Sequence, residues 1–189
     1  MKIKLLRFKS VKSTNDIALK LAQKKNSRPT MIVAEAQTKG RGTMGKKWIS
    51  QKGNLFISIF FEMNQEKINF KHFAILNAFL LKKALSKQFL KKINIKWPND
   101  LMHNKKKICG ILQEVLNCKN KRFLVVGIGV NTNQDPKNKG FLSTSLKKIM
   151  NKNIDNNKVL KDIKTIYEKF LTKAKTYSYS KLKKIYNKV

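Results

Sequence analysis

The sequence is poor in cysteine, histidine and long apolar runs. Its two cysteines, Cys109 and Cys118, and its two histidines do not stand at the spacings of a metal site. Two thiols are also too few for the disulfide framework of a secreted domain, so we expect a reducing, cytoplasmic environment. No apolar run approaches the ~20 residues of a membrane span, so no membrane segment is expected either.

Acidic residues are scarce as well. Ten of them accompany 43 lysines and arginines, which leaves a formal net charge of +33. Such a charge is typical of nucleic-acid-binding proteins. Only four of the basic residues are arginine, however, whereas groove and phosphate readers rely on its bidentate guanidinium group. Lysine is spread along the whole chain with Asn and Ile, which indicates a general compositional bias. We expect no specific DNA target, and a basic nucleic-acid-binding module is the alternative from another functional class.

Apolar periodicity predicts the secondary structure. Apolar or alternating runs predict strands near residues 1–7, 31–34, 54–61, 93–97, 100–102, 108–116 and 123–130. Apolar positions at helical spacing predict helices over about 17–22, 70–90 and 157–174, followed by a short basic helix over 178–189. Ser13, with Asp16 three residues later, predicts a capping box at the first helix. We predict a single α+β domain over 1–189, with its core over about 1–175 and a mixed, mostly antiparallel sheet flanked by helices.

Glycine is rare and unevenly placed. Seven of the eight glycines lie in three places, namely 40–53, 110 and 127–129. Gly40, Gly42 and Gly45 spell G-x-G-x-x-G, but that fingerprint binds dinucleotides only where it opens a helix, and residues 46–52 are too few for one. The segment is therefore predicted to be a strand-to-strand loop that carries Arg41. It could fold over an anionic ligand, and a flexible hairpin loop fits the spacing equally well.

Five segments that contain these rare residues resemble, in order and spacing, the blocks of the biotin–protein ligase family. They are Ser-Thr-Asn at 13–15, Glu-Ala-Gln-Thr-Lys-Gly-Arg-Gly at 35–42, Lys-Trp-Pro-Asn-Asp-Leu at 96–101, Lys-Ile-Cys-Gly-Ile-Leu at 107–112 and Gly-Ile-Gly-Val-Asn at 127–131. The resemblance covers about residues 10–146. It implies a catalytic domain related to class II aminoacyl-tRNA synthetases. It also implies that biotin and ATP form biotinyl-5′-AMP, and that the biotinyl group then passes to a lysine of a carboxylase carrier domain.

The resemblance implies a role for individual residues. Those expected to bind biotin are Ser13, Thr14, Asn15, Gln37, Arg41, Gly42, Thr43, Lys107 and Gly110. Those expected to bind ATP are Lys46, Trp48, Lys96, Asn99 and Asn131. The catalytic candidates are Lys107, Asp100 and Arg41: the cations neutralise reacting anions, and Asp100 holds Mg²⁺ or helps to deprotonate the acceptor lysine.

Structural alternatives stand beside several of these roles. The Ser-Thr-Asn segment is also an ordinary helix cap, and Trp48 and Trp97 are by default core residues. Lys107 follows two other lysines and could be solvated, and Asn131 could simply close a strand.

The sequence also departs from the family pattern. Thr43 and Lys46 stand where the family often has arginine, so we expect weaker retention of the adenylate and weaker bidentate phosphate contacts. Few residues precede Ser13, so no DNA-binding helix-turn-helix is expected. We also expect no counterpart of the β-rich C-terminal domain of many members, whether the form is minimal or truncated. A lipoate- or octanoate-type enzyme of the same fold is the alternative enzyme, although that superfamily lacks the Lys-Trp-Pro-Asn-Asp segment. Monomer and homodimer both remain open.

Overall fold

A computed structural model describes residues 1–24, 28–63, 70–89, 93–118, 120–136 and 142–173. In this part of the chain, one sheet contains the strands β1 (Lys4–Val11), β2 (Thr30–Gln37), β3 (Leu55–Glu62), β4 (Asn94–Lys96), β5 (Asp100–His103), β6 (Lys106–Cys118) and β7 (Lys121–Val130). The helices are α1 (Thr14–Gln23), α2 (Phe70–Leu85), α3 (Leu146–Met150) and α4 (Asn156–Lys173). The α+β prediction is confirmed. The helix predicted over 178–189 lies outside the described residues.

The strands lie side by side in the order β1-β2-β3-β7-β6-β5-β4. Every neighbouring pair is antiparallel except β1 and β2, which are parallel because α1 crosses over between them. β5 and β6 are joined by a two-residue turn at Asn104 and Lys105, whose positive φ values of 45° and 61° suit a tight hairpin. The prediction of a mixed, mostly antiparallel sheet is therefore confirmed.

The two faces of the sheet bury different amounts of apolar surface. One face packs against α2 and α4 and holds the larger core, which includes an aromatic group in which Phe170 contacts Phe61 and Phe73, with ring centroids 6.2 and 6.3 Å away. The other face packs against α1 through a smaller cluster. That cluster comprises Ala18, Ala22, Ile32, Phe60, Phe123 and Val125. Each large apolar side chain buried in this way contributes about 1.5–3 kcal/mol. Most of the apolar stabilisation therefore comes from the α2 and α4 side.

One local prediction needs correction, and one short helix was not predicted. Ser13 precedes α1, but its side chain makes no capping hydrogen bond. The backbone N–H of Thr14 donates instead to the side chain of Gln37, and Asp16 forms an ion pair with Arg41. The predicted capping box is therefore wrong, because the Ser13 side chain makes no capping hydrogen bond and the Asp16 carboxylate pairs with a distant residue. The short helix α3 was not predicted; Ser145 caps it by accepting from the backbone N–H of Lys148 at 3.3 Å.

None of the helices within the described ranges combines the length and the apolar character that crossing a bilayer requires.

Candidate active site

A narrow cleft opens on the α1 face of the sheet, beside the first turn of that helix. The residues around it come from α1, from β3, β6 and β7, and from the segment at 40–48 between β2 and β3, which we call the 40–48 loop. The cleft lines up eleven residues singled out from the sequence. They are Ser13, Thr14, Asn15, Gln37, Arg41, Gly42, Thr43, Trp48, Asn99, Lys107 and Gly110. All the residues expected to contact biotin thus meet in one place, and their roles stay predictions.

The floor of the cleft is flat because three glycines lie on it. Gly110 of β6 and Gly129 of β7 are paired in register, and Gly127 lies two residues earlier on the same face of β7. A Cβ atom at Gly110 would lie only 2.6 Å from the ring of Trp48, and one at Gly129 would overlap the same indole. A Cβ atom at Gly127 would overlap the side chain of Asn15. The placement of these three glycines thus has a physical reason: without a Cβ atom, they leave room for Trp48 and Asn15 to lie directly on the sheet.

A chain of hydrogen bonds fixes the polar end of the cleft. The backbone N–H of Thr14 donates to Oε1 of Gln37 at 2.8 Å, and the Thr14 hydroxyl donates to the same oxygen at 3.1 Å. The Ser58 hydroxyl on β3 donates to Oγ1 of Thr14 at 2.7 Å. The Gln37 amide in turn donates to Oγ of Ser50 at 3.0 Å. Because Thr14 and Ser58 are buried, this network is rigid, and it presents both donors and acceptors to the cleft.

Arg41 is held by two carboxylates. Its Nη1 and Nη2 atoms donate to the two carboxylate oxygens of Glu114 at 2.8 and 2.7 Å, and Nη2 also lies 2.9 Å from Oδ1 of Asp16. Asn15 donates to the same Glu114 carboxylate at 2.7 Å. The hydrogen bonds with Glu114 raise the pKa of Arg41 above its ordinary value, against the lowering effect of partial burial. The charge of Arg41 is therefore directed at the protein in this arrangement.

The 40–48 loop is a compact hairpin and not the start of a crossover helix. Arg41 and Lys47 form a bridge, the N–H of Gly42 donates to the carbonyl of Lys46 at 2.6 Å, and only a single 3₁₀ turn over Thr43–Gly45 lies between them. Gly45 has a φ of 72° in that turn, which glycine adopts without strain. The prediction of a strand-to-strand loop is confirmed.

Lys107 and Asp100 form a mostly buried ion pair at the other end of the cleft. Their nearest N and O atoms are 2.6 Å apart, and the side chains are 13% and 20% exposed. The ammonium group also lies 5.3 Å from the centre of a Trp48 ring, within the range of a cation–π contact. The alternative of a solvated Lys107 is therefore wrong.

Three residues expected to bind ATP lie outside this cleft. Lys46 and Lys96 are exposed, and neither is among the residues around the cleft. Asn131 is buried and donates from Nδ2 to the carbonyl of Thr144 at 3.3 Å, as expected for a residue that closes a strand. Asn99 does line the cleft, where its side chain donates to the carbonyl of Ile111 at 3.0 Å.

The side chains that the structure describes do not form a preassembled magnesium site. Asp100 offers a single carboxylate, and its Oδ1 atom is paired with Lys107. Within the described ranges, no group of three or more Asp, Glu, His or Cys side chains could hold a metal ion. Cys109 is fully buried, which raises the pKa of its thiol.

Sequence reasoning missed Glu114, Ser58 and Ser50. Glu114 had a detectable signal. It is one of only ten acidic residues, and its spacing of two and four residues from Leu112 and Gly110 places all three on the same face of β6. Ser58 likewise lies opposite Gly127 in the register of β3 and β7. Neither signal could be used without knowing which face of each strand borders the cleft.

Comparisons with known proteins extend this description. Residues 7–131 match the biotin/lipoate A/B protein ligase family. The chain is 30% identical over 177 residues to the bifunctional ligase/repressor BirA of Bacillus subtilis, an alignment that covers 90% of this chain and 54% of that protein. It therefore spans about half the length of the curated relatives it matches.

Solved structures share the fold. The biotin protein ligase of Aquifex aeolicus in complex with biotin and ATP superposes with a TM-score of 0.77 and 33% identity, covering 93% of this chain and 73% of that one. The biotin protein ligase of Leishmania major in complex with biotinyl-5-AMP gives a TM-score of 0.80 at 23% identity, with 100% and 81% coverage. The second comparison supports the fold alone.

Proposed function

The chain belongs to the biotin/lipoate A/B protein ligase family, and we propose that it is the catalytic part of a biotin–protein ligase. In the first step, a carboxylate oxygen of biotin attacks the α-phosphorus of ATP, a C(O)–O–P bond forms and pyrophosphate leaves. In the second step, the amine of an acceptor lysine attacks the acyl carbon, an amide forms and AMP leaves. The acceptor is the biotin carrier domain of acetyl-CoA carboxylase or a related carboxylase. The observation that carries the proposal is the meeting of Thr14, Gln37 and Lys107 in one cleft.

The polar end of the cleft suits the ureido ring of biotin. That ring is rigid and presents one carbonyl and two N–H groups, so its binding site must combine donors with acceptors. The first turn of α1 supplies backbone N–H groups that have no partner within the helix. Thr14, Asn15 and Gln37 add side-chain groups already fixed by hydrogen bonds. A site prepared in this way binds with little loss of side-chain entropy.

The other end of the cleft suits the two reacting anions. A carboxylate and a triphosphate repel each other, so a fixed cation between them lowers the barrier. Lys107 is mostly buried, and its ammonium is fixed by Asp100 and by the face of Trp48. A charge in such a setting interacts more strongly than one in water. In the second step, the Asp100 carboxylate is the candidate acceptor for the proton that the incoming lysine must lose. A magnesium requirement stays a prediction.

Radiolabelled biotin and a purified carrier domain provide the test. With ATP and Mg²⁺ present, we expect label on the carrier domain, and Lys107→Ala and Asp100→Ala should each reduce its formation by about 100-fold or more. Lys121→Ala is the matched control, because Lys121 forms an exposed ion pair with Glu62 elsewhere on the sheet. Its rate should stay within about twofold of the wild type.

Other results would change the assignment. Turnover of lipoate or octanoate in place of biotin would favour the related enzyme of the same fold. Pyrophosphate release that depends on biotin but gives no labelled carrier would place the defect in the second step. A protein that binds polyanions with a strong salt dependence and turns over none of these acids would contradict the proposal.

A further inference from the structure

Glu114 joins three elements that surround the cleft. It lies on β6, it accepts two hydrogen bonds from Arg41 of the 40–48 loop, and it accepts one from Asn15 of α1. Its own side chain is not among those that line the cleft. We propose that Glu114 is a positioning residue whose carboxylate, acting through Arg41, holds the 40–48 loop closed over the cleft. The part of the proposal that concerns biotin rests on the proposed function.

The charges of this cluster support a structural use of Arg41. One guanidinium faces the carboxylates of Glu114 and Asp16, so the three groups together carry a formal charge of about −1 at neutral pH. A cluster with that charge does not attract a free anion. The bidentate geometry with Glu114 is the strongest form of such a pair, whereas Asp16 makes a single contact and is 42% exposed. Glu114 should therefore matter more than Asp16.

The loop transmits the position of Arg41 to Trp48. Gly40, which precedes Arg41, accepts from the N–H of Trp48 at 3.0 Å, and a Cβ atom at Gly40 would lie 2.6 Å from the carbonyl of Trp48. The two sides of the hairpin are thus in direct contact. Fixing Arg41 therefore also fixes the indole on the glycine floor formed by Gly110 and Gly129.

The cleft is small, as expected of a loop that is closed over it. The cleft has a volume of about 50 Å³, whereas sites for small organic ligands usually span about 300–1,000 Å³. Biotin can reach the floor only when the loop lifts, and a loop that closes again retains it. The Arg41–Glu114 pair is an ion pair between the loop and the sheet that such a movement must break and re-form.

Trp48 reports on the loop without any ligand. The chain has two tryptophans, so a Trp97→Phe background leaves Trp48 as the single tryptophan, whose emission is excited selectively over that of tyrosine. In that background Glu114→Gln, which keeps the shape and removes the charge, should raise the acrylamide quenching constant at least about twofold, and Asp16→Asn should raise it less. Glu62→Gln is the matched control. Glu62 forms an ion pair of 2.9 Å with Lys121, and neither residue belongs to the 40–48 loop, so this change should leave the quenching constant unchanged.

Turnover separates positioning from a merely structural role. Glu114→Gln should raise the KM for biotin by about tenfold or more, with kcat changed by less than about threefold, because the residue acts on retention and not on the reacting atoms. Unfolding midpoints of Glu114→Gln and Glu62→Gln should be similar, which excludes global unfolding as the cause. The acrylamide quenching constant of the double variant Arg41→Gln/Glu114→Gln should be no higher than that of Arg41→Gln alone, because both changes break the same contact.

The outcomes distinguish this proposal from the proposed function. Equal quenching in Glu114→Gln and Glu62→Gln would overturn the positioning role, whatever the substrate is. A fall in kcat at constant KM would overturn it as well. Increased quenching in Glu114→Gln together with a wild-type protein that turns over no biotin would support the positioning role and reject the proposed function.

Discussion

The ammonium of Lys107 and the carboxylate of Asp100 approach to 2.6 Å in a setting where both side chains are at least four-fifths buried. Each charge is tolerated there because the other is present. Removing one partner leaves the other poorly solvated and without its counter-ion, which usually costs more than the pair itself contributes.

We expect Lys107→Met to lower the free energy of unfolding by about 1–3 kcal/mol. This is less than the loss on breaking a fully buried ion pair, because both side chains remain partly exposed. The double variant Lys107→Met/Asp100→Leu should recover part of that loss. Urea unfolding of the single and double variants measures both effects. A double variant that loses the sum of the two single losses would show that the pair is not coupled.

The glycine floor gives a prediction about two neighbouring positions. In Gly129→Ala the new methyl group meets Trp48, and the 40–48 loop can lift to relieve the overlap. In Gly127→Ala the methyl meets Asn15, which is held in α1 and cannot move as easily. The free energy of unfolding should therefore fall by less than about 1 kcal/mol in Gly129→Ala and by about 1–3 kcal/mol in Gly127→Ala. Binding of biotin, measured by calorimetry, should weaken in both.

A Trp48→Ala change serves as the control for that pair. Trp48→Ala removes the side chain that Gly129→Ala displaces. The double variant Trp48→Ala/Gly129→Ala should therefore bind biotin no more weakly than Trp48→Ala alone. Gly127→Ala should remain just as destabilising in the Trp48→Ala background.

Thr43 lines the cleft within the 3₁₀ turn, where the family often has arginine. Thr43→Arg should slow the release of biotinyl-5′-AMP by about tenfold, because the added guanidinium can bind the phosphate through charge-assisted hydrogen bonds. The rate is measured by following the release of labelled biotinyl-5′-AMP from the protein after excess unlabelled adenylate is added. Thr43→Gln, which adds length without charge, is the control. An adenylate release rate in the wild type no faster than in Thr43→Arg would contradict the expectation.

Tyr167 lies in a buried polar chain behind the sheet. Its hydroxyl donates to Oδ1 of Asn77 at 2.8 Å, and the Asn77 amide donates to Gln113 of β6. Tyr167→Phe leaves the Asn77 oxygen without that donor, so we expect a loss of about 1–3 kcal/mol at neutral pH. Denaturant unfolding of the two proteins at pH 7 measures it.

The same residue gives a pH dependence. Complete burial raises the pKa of Tyr167 well above its ordinary value of 10.0. The folded protein therefore retains a proton that the unfolded chain releases once the pH exceeds about 10, so the stability contributed by Tyr167 is present below that pH and declines above it. The difference between wild type and Tyr167→Phe should narrow from pH 10 upward. A constant difference would mean that Tyr167 ionises normally in the folded state.

Periodic apolar patterns were sufficient to predict most of the scaffold. The runs at 108–116 and 123–130 lie within β6 and β7, and the helical spacing at 157–174 corresponds to α4. These elements are determined by which side chains must be buried, which is a local property of the sequence. The scarcity of glycine also pointed to the cleft, although its reason, the close approach of Trp48 and Asn15, depends on the fold.

Long-range partners account for what was missed. Asp16 has the spacing of a capping residue, yet it contacts Arg41, which lies on a distant loop. Glu114 could be placed on one face of β6 by alternation, but its pairing with Arg41 spans 73 residues. Lys46 and Lys96 were assigned from the resemblance; both are exposed and neither lines the cleft, so their expected contacts with ATP stay predictions. Contacts between separate elements cannot be deduced from the local pattern of either one.

The unequal burial on the two faces of the sheet has a consequence for how such a protein can change over generations. The α2 and α4 face carries the larger core, whereas the cleft shares its face with the smaller cluster beneath α1. The residues of the 40–48 loop belong to neither apolar cluster, so substitutions there leave the larger core intact, and ligand preference and folding can be altered separately. Selection could thus redirect this scaffold toward a different carboxylic acid before its stability fell below what folding requires.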